Sequence, residues 1–114
     1  MNNEMIDGII NRIKEEFDIR IIFEEFVNIN EGKTAPEKIY PIFNIFTNIN
    51  CIDDENLHKQ VQAISLTSAK SLGFDPRLIM DNYDYTLCRT NNGYRFCGHV
   101  VALYSLISLI KHND

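Results

Sequence analysis

The run Val100–Ile110 constrains this chain more than any other segment. Its eleven residues are interrupted only by Ser105 and Ser108. A bilayer-spanning helix needs about 20 apolar residues, so this one is too short to cross a membrane. A helix apolar on nearly every side must instead be buried by protein. The spacing predicts a central helix over His99–Lys111, and the rest of the chain has to wrap it.

The chain has 114 residues. That length suits one domain, 1–114, and a core that needs neither disulfides nor a structural metal. Hydrophobic residues at 45% and charged residues at 24% are ordinary for a globular protein.

Just before the apolar run lies the strongest local signal. Asn92-Gly93 is the preferred pair for a two-residue type I′ hairpin turn. That turn predicts a hairpin near 84–97, with Arg89 facing Phe96 and Cys88 facing Cys97. Tyr85, Leu87, Arg89, Tyr94 and Phe96 then share one face, which should dock on helices.

The remaining segments read as helices. Met5, Ile9, Ile13 and Phe17 recur every four residues, capped by Asn2 or Asn3. A break is expected near Phe17–Ile19. Ile19, Ile22, Phe23, Phe26 and Val27 then form a helical stripe. The β-branched run Ile19–Ile22 would also suit a strand, but Glu24 and Glu25 fall together on a polar side, which favours helix. Asn28–Ala35 reads as a loop. Thr34-Ala35-Pro36-Glu37 matches a capping box, which predicts a helix through Ile49 that Pro41 would kink or shorten. Asp53, Asp54 and Glu55 suit the positive end of a further helix, and Gly73 suits its terminus. Asp75-Pro76 would restart a short helix through Met80. The expected fold is therefore mainly α: a single-domain bundle of about five helices around a hydrophobic C-terminal helix, with one β-hairpin.

Charge is uneven. Residues 1–57 carry twelve acids against five bases, and residues 58–114 carry four against six. An acidic N-terminal half argues against nucleic-acid binding, which usually needs a basic face. It suits a soluble chain that meets a basic partner. Asp7, Arg12, Lys14, Glu15 and Glu16 interrupt any apolar run near the start, so no secretory signal is expected. The three cysteines match no standard disulfide or zinc spacing, and a reducing cytoplasm is the default.

Candidate chemistry is sparse. In the type I′ register Cys88 and Cys97 would form a redox pair, with Cα atoms about 4.5 Å apart. Against that stands packing as two reduced, small hydrophobes. Cys97 with His58 or His99 would suit a thiol nucleophile oriented by Asp84. Cys88, Cys97 and His99 have no usual zinc spacing, so neither metal nor cofactor is expected. Ser105, Ser108 and His112 share one side of the last helix without the glycine elbow of a serine hydrolase. No phosphate loop or other motif fixes a reaction.

The remaining surface candidates are partner-binding residues. They are the acids Glu24, Glu25, Asp53, Asp54 and Glu55, and the hairpin residues Tyr83, Tyr85, Tyr94 and Arg95. Small size, acidity, an AT-rich composition (much Ile and Asn, no Trp) and no catalytic constellation point to a non-enzymatic binding protein. In general character it is similar to immunity proteins that sterically neutralise a toxin, for example a basic nuclease domain. The alternatives are a viral or phage protein that blocks a host factor, and a thiol-dependent enzyme or redox switch built on Cys97.

Overall fold

The computed structural model describes residues 2–29, 38–49, 54–78 and 85–112. Helix α1 (Asn3–Phe17) opens on Asn2, whose side chain accepts the Met5 N–H at 2.9 Å. It ends at Asp18, which takes a left-handed conformation (φ +51°). Asp tolerates that region better than most residues, and here it turns the chain into strand β1 (Arg20–Ile29). Strand β2 (Lys38–Phe46) and helix α2 (Asp54–Leu72) follow. Gly73 (φ +82°) closes α2, its N–H donating to the Lys70 carbonyl while the Phe74 N–H donates to that of Ala69. This is a Schellman cap, which needs a residue that accepts positive φ. A 3-10 turn (Pro76–Leu78), strands β3 (Tyr85–Thr90) and β4 (Gly93–Gly98), and helix α3 (Val100–His112) complete the order.

The five-helix bundle is therefore overturned. Among the described residues there are three α-helices and one four-stranded antiparallel sheet, ordered β1-β2-β4-β3. The stretches expected as the second and third helices are β1 and β2. Their misleading patterns have physical causes. Ile21 and Phe23 sit opposite Ile45 and Phe43, but the register then shifts, so that Glu25 faces Ile42 and Phe26 faces Pro41. The extra residue is a β-bulge. It stretches the inward spacing Ile21, Phe23 from two to three at Phe26, which imitates helical periodicity. Strand β2 imitates a helix differently, because apolar residues occupy both of its faces. Pro41 fits because it lies just outside the Ile42–Phe46 segment that pairs with β4. There β2 has a strand on one side only, the position where a sheet tolerates proline. The capping box at 34–37 lies outside the described residues.

The hairpin exists, but its register differs from the expected one. Thr90 pairs with Gly93, and Asn91 and Asn92 form the turn. A type I′ turn needs positive φ at both central residues. Asp18 is the one described non-glycine residue with positive φ, so Asn91 and Asn92 are not in that turn. Gly93 is needed for a different reason: a Cβ there would lie 2.0 Å from the Ile45 carbonyl oxygen of β2. The neighbouring strand, absent from the hairpin-only expectation, selects both the glycine and the register.

The core lies between the helices and one face of the sheet. Ile21, Phe43, Ile45, Tyr85, Tyr94 and Phe96 point into it from the strands. Ile6, Ile9, Ile10 and Ile13 enter it from α1. Helix α3 is buried from Val100 through Ile107, as its composition required, and packs against both α1 and α2. Small residues let α2 approach it. Ser105 Oγ lies 2.7 Å from Ser68 Oγ and 2.8 Å from the Val101 carbonyl oxygen. Donating to that carbonyl leaves Ser105 free to accept from Ser68, so the buried hydroxyls satisfy one another. No helix among the described residues is long and apolar enough to cross a membrane.

Candidate functional site

Antiparallel strands alternate their side chains, so a sheet packed on one face presents the other. None of the second-face residues of this sheet belongs to the packed core. On β1 these are Arg20, Ile22, Glu24, Glu25 and Val27, and on β2 they are Tyr40, Ile42, Asn44 and Phe46. Arg95 and Cys97 of β4 and Thr86, Cys88 and Thr90 of β3 extend the face.

The bulge determines what stands at its centre. Regular alternation would send Glu24 and Glu25 to opposite faces. With the extra residue, Glu24 reaches Asn44 and Arg95, while Glu25 sits opposite Ile42 on the same side. Arg95 donates to Glu24 Oε2 through Nε (3.2 Å) and Nη2 (2.5 Å). Asn44 Nδ2 donates to Glu24 Oε1 at 3.4 Å. The Arg95 guanidinium and the Asn44 amide hold the Glu24 carboxyl below the usual carboxylate range. Glu25 adds to the negative field that holds the Arg95 proton. Around this polar centre lie Ile22, 40% exposed, and the half-buried Val27, Tyr40 and Phe46. Arg20 covers the Phe46 ring, its guanidinium carbon 4.8 Å from the centroid. Ile42 is only 5% exposed on this face.

The acids expected to act together do not form one surface. Glu55 is exposed at the start of α2, with Lys59 3.9 Å away one turn on. That end of α2 packs beside β3, where His58 stacks on Tyr85 at 4.1 Å. Strand β3 is the edge of the sheet opposite β1, so Glu55 is remote from Glu24 and Glu25. Asp54 begins the same helix. Asp53 and Tyr83 lie outside the described residues.

Two of the aromatic candidates face inward. Tyr85 is buried between His58 and Phe96, and Tyr94 is buried with its hydroxyl accepting from Arg89 Nη1 at 2.8 Å. Arg95 alone of the described hairpin candidates joins the exposed face. The side chains that sequence reasoning missed are Asn44, Ile42, Tyr40 and Phe46. Their signal was the second apolar stripe of β2, legible only once that segment is read as a strand.

The thiol chemistry does not assemble. Cys88 faces Arg95 and Cys97 faces Thr86, so the two cysteines are diagonal neighbours, and both are free. Diagonal neighbours stand roughly 7–8 Å apart, beyond the roughly 3.5–4.5 Å between Cβ atoms that a disulfide needs. Burial pushes the Cys97 thiol up, against a weaker pull from Arg95, which is the wrong direction for an activated nucleophile. His58 is on the helix side of the sheet, away from Cys97. His99 is engaged at the start of α3: its Nδ1 accepts the Val101 N–H at 3.1 Å and its carbonyl accepts the Leu103 N–H at 3.1 Å. Among the described residues no three His, Cys, Asp or Glu side chains are grouped to hold a metal. Ser68, Ser71, Tyr104, Ser108 and His112 line a cleft of about 340 Å³ between α2 and α3. Its hydroxyls serve structure: Tyr104 donates to the Glu16 carboxylate at 2.7 Å, and Ser71 accepts from Arg12.

No family model matches this chain, and searches of curated proteins and of solved structures likewise found no match.

Proposed function

We propose that this chain is a non-enzymatic binding protein that neutralises a protein partner through the open face of its sheet. The most specific form of this reading is an immunity-type inhibitor of a basic toxin or enzyme domain. One observation carries it: the bulge in β1 places two consecutive carboxylates, Glu24 and Glu25, on the face that the helices leave uncovered. A structural role does not require both acids there. Partly exposed Ile22, Val27, Tyr40 and Phe46 supply an apolar surround of the kind that anchors interfaces. The acids would steer a basic partner, and the apolar side chains would hold it.

The mechanism is occlusion. The sheet is backed by a packed helical layer, so the face is preorganised and little ordering cost falls on binding. Arg95 fixes the Glu24 carboxylate, and the exposed Glu25 would meet a partner cation.

An immunity gene normally lies directly downstream of its toxin gene, which supplies the test. The product of the gene immediately upstream is expressed in a bacterial host with and without this chain. Growth restored by the wild-type protein, and lost again with Glu25→Lys, is the expected result. An upstream product that is harmless, or toxicity unaffected by this chain, would remove the immunity reading.

A further inference from the structure

His99 joins the end of β4 to the start of α3, the helix on which the core is built. Its side chain acts as the N-cap of that helix, a position usually filled by Ser, Thr, Asp or Asn. The capping bond requires an unprotonated Nδ1, since Val101 N–H is the donor. The neutral tautomer present therefore carries its proton on Nε2. The ring is half-buried and meets the edge of Phe74, with centroids 5.5 Å apart. Met5, Ile39 and Pro41 share its pocket and bring no charge. Asp75, beside Phe74 in sequence, is occupied by Arg77 at 3.0 Å.

We propose that His99 is a proton-operated cap, so that protonation of this one imidazole releases the first turn of α3 and loosens the domain in mild acid. Three effects act in the same direction. Protonation turns Nδ1 from acceptor to donor, and two donors then face each other at Val101. It also places a positive charge at the positive end of the helix dipole. Finally, it charges a ring that is partly removed from water.

Burial already holds the His99 pKa below the usual imidazole value. The unfolded chain therefore takes up this proton before the folded one does. Stability is fully present above the unfolded-state pKa, about 6.5, and is lost as pH falls from there toward the folded-state value. Across that window the folding constant falls up to about tenfold per pH unit. Loss of the first turn would disturb the Phe74 contact and the buried Val100–Val101 segment together.

His99→Asn tests this, because Asn supplies a capping oxygen that does not titrate in this range. Urea midpoints are measured for both proteins from pH 8 to pH 5. The slope with pH is read, since losing the Phe74 contact lowers the variant by the same amount throughout. The wild type should lose stability below about pH 6.5 while the variant stays level. Parallel curves would overturn the proposal. An NMR titration of the wild type gives a second readout that needs no variant. The His99 ring should stay neutral, with its proton on Nε2, until the Val101 and Leu103 amide signals shift or broaden with it. A ring that titrates near the ordinary value while those amides stay fixed would refute the cap.

Discussion

Gly93→Ala should be severely destabilising, and the size of the loss follows from the pairing of β2 with β4. Gly93 has φ +154°, where L side chains are strained at a cost of about 1–3 kcal/mol. The added Cβ would meet the Ile45 carbonyl oxygen at 2.0 Å and the Thr47 nitrogen at 2.9 Å. Ordinary contact begins at 3.4 Å, so the strands would have to separate by about 1.4 Å at that point. A gap of that size breaks the ladder where Phe46 meets Gly93 and strains it at Ile45–Tyr94. Each hydrogen bond lost there costs about 1 kcal/mol. The expected loss is roughly 3–5 kcal/mol, a large share of the roughly 5–15 kcal/mol that holds a domain together. Urea unfolding followed by far-UV circular dichroism would read it as a midpoint lower by about 1–3 M. A hairpin without β2 beside it would suffer only the local backbone strain. A loss of about 2 kcal/mol or less, within reach of that strain alone, would therefore refute the β2–β4 register.

Other positions make smaller or opposite claims. Gly8 is exposed within α1, and a Cβ there meets nothing within 4 Å; Gly8→Ala should stabilise the domain by about 0.5–1 kcal/mol on the same urea assay. Leu106 is fully buried in α3, and Leu106→Ala should cost about 2–5 kcal/mol, which calorimetric unfolding would record. Cys88 is exposed, whereas Cys97 is partly buried with its thiol pushed up by desolvation. A thiol reagent at pH 7 should thus modify Cys88 well before Cys97, as peptide mass mapping would show, and air oxidation should not link the two.

Legibility in the sequence followed how local each cause is. The ends of α1 and α2 were readable because Asn2, the Phe17–Ile19 break and Gly73 act within a turn of their own residues. Burial of α3 was readable because no amphipathic arrangement of Val100–Ile110 exists. The strands β1 and β2 were not, since their decisive features are relations between strands. The bulge at Glu24–Glu25 is defined by the register against Asn44 and Ile42, and read alone it looks like a helical stripe. Gly93 shows the same limit. Its proximity to Asn92 pointed to a type I′ turn, whereas its actual constraint is the Ile45 carbonyl of a distant strand. The exposed face inherited that gap. Glu24, Glu25 and Arg95 stood out by charge, but Asn44, Ile42 and Phe46 could be placed beside them only through the sheet.

The most direct test of the open face is a calorimetric titration of the upstream gene product with purified wild-type protein and Glu25→Lys. Glu25 is exposed and lies outside the core, so the variant should unfold at the wild-type urea midpoint. Saturable 1:1 binding by the wild type is expected, weakened at least about tenfold in the variant and falling as salt rises, as charge-steered association requires. Binding of equal strength by both proteins, or none by either, would contradict a partner site on this face.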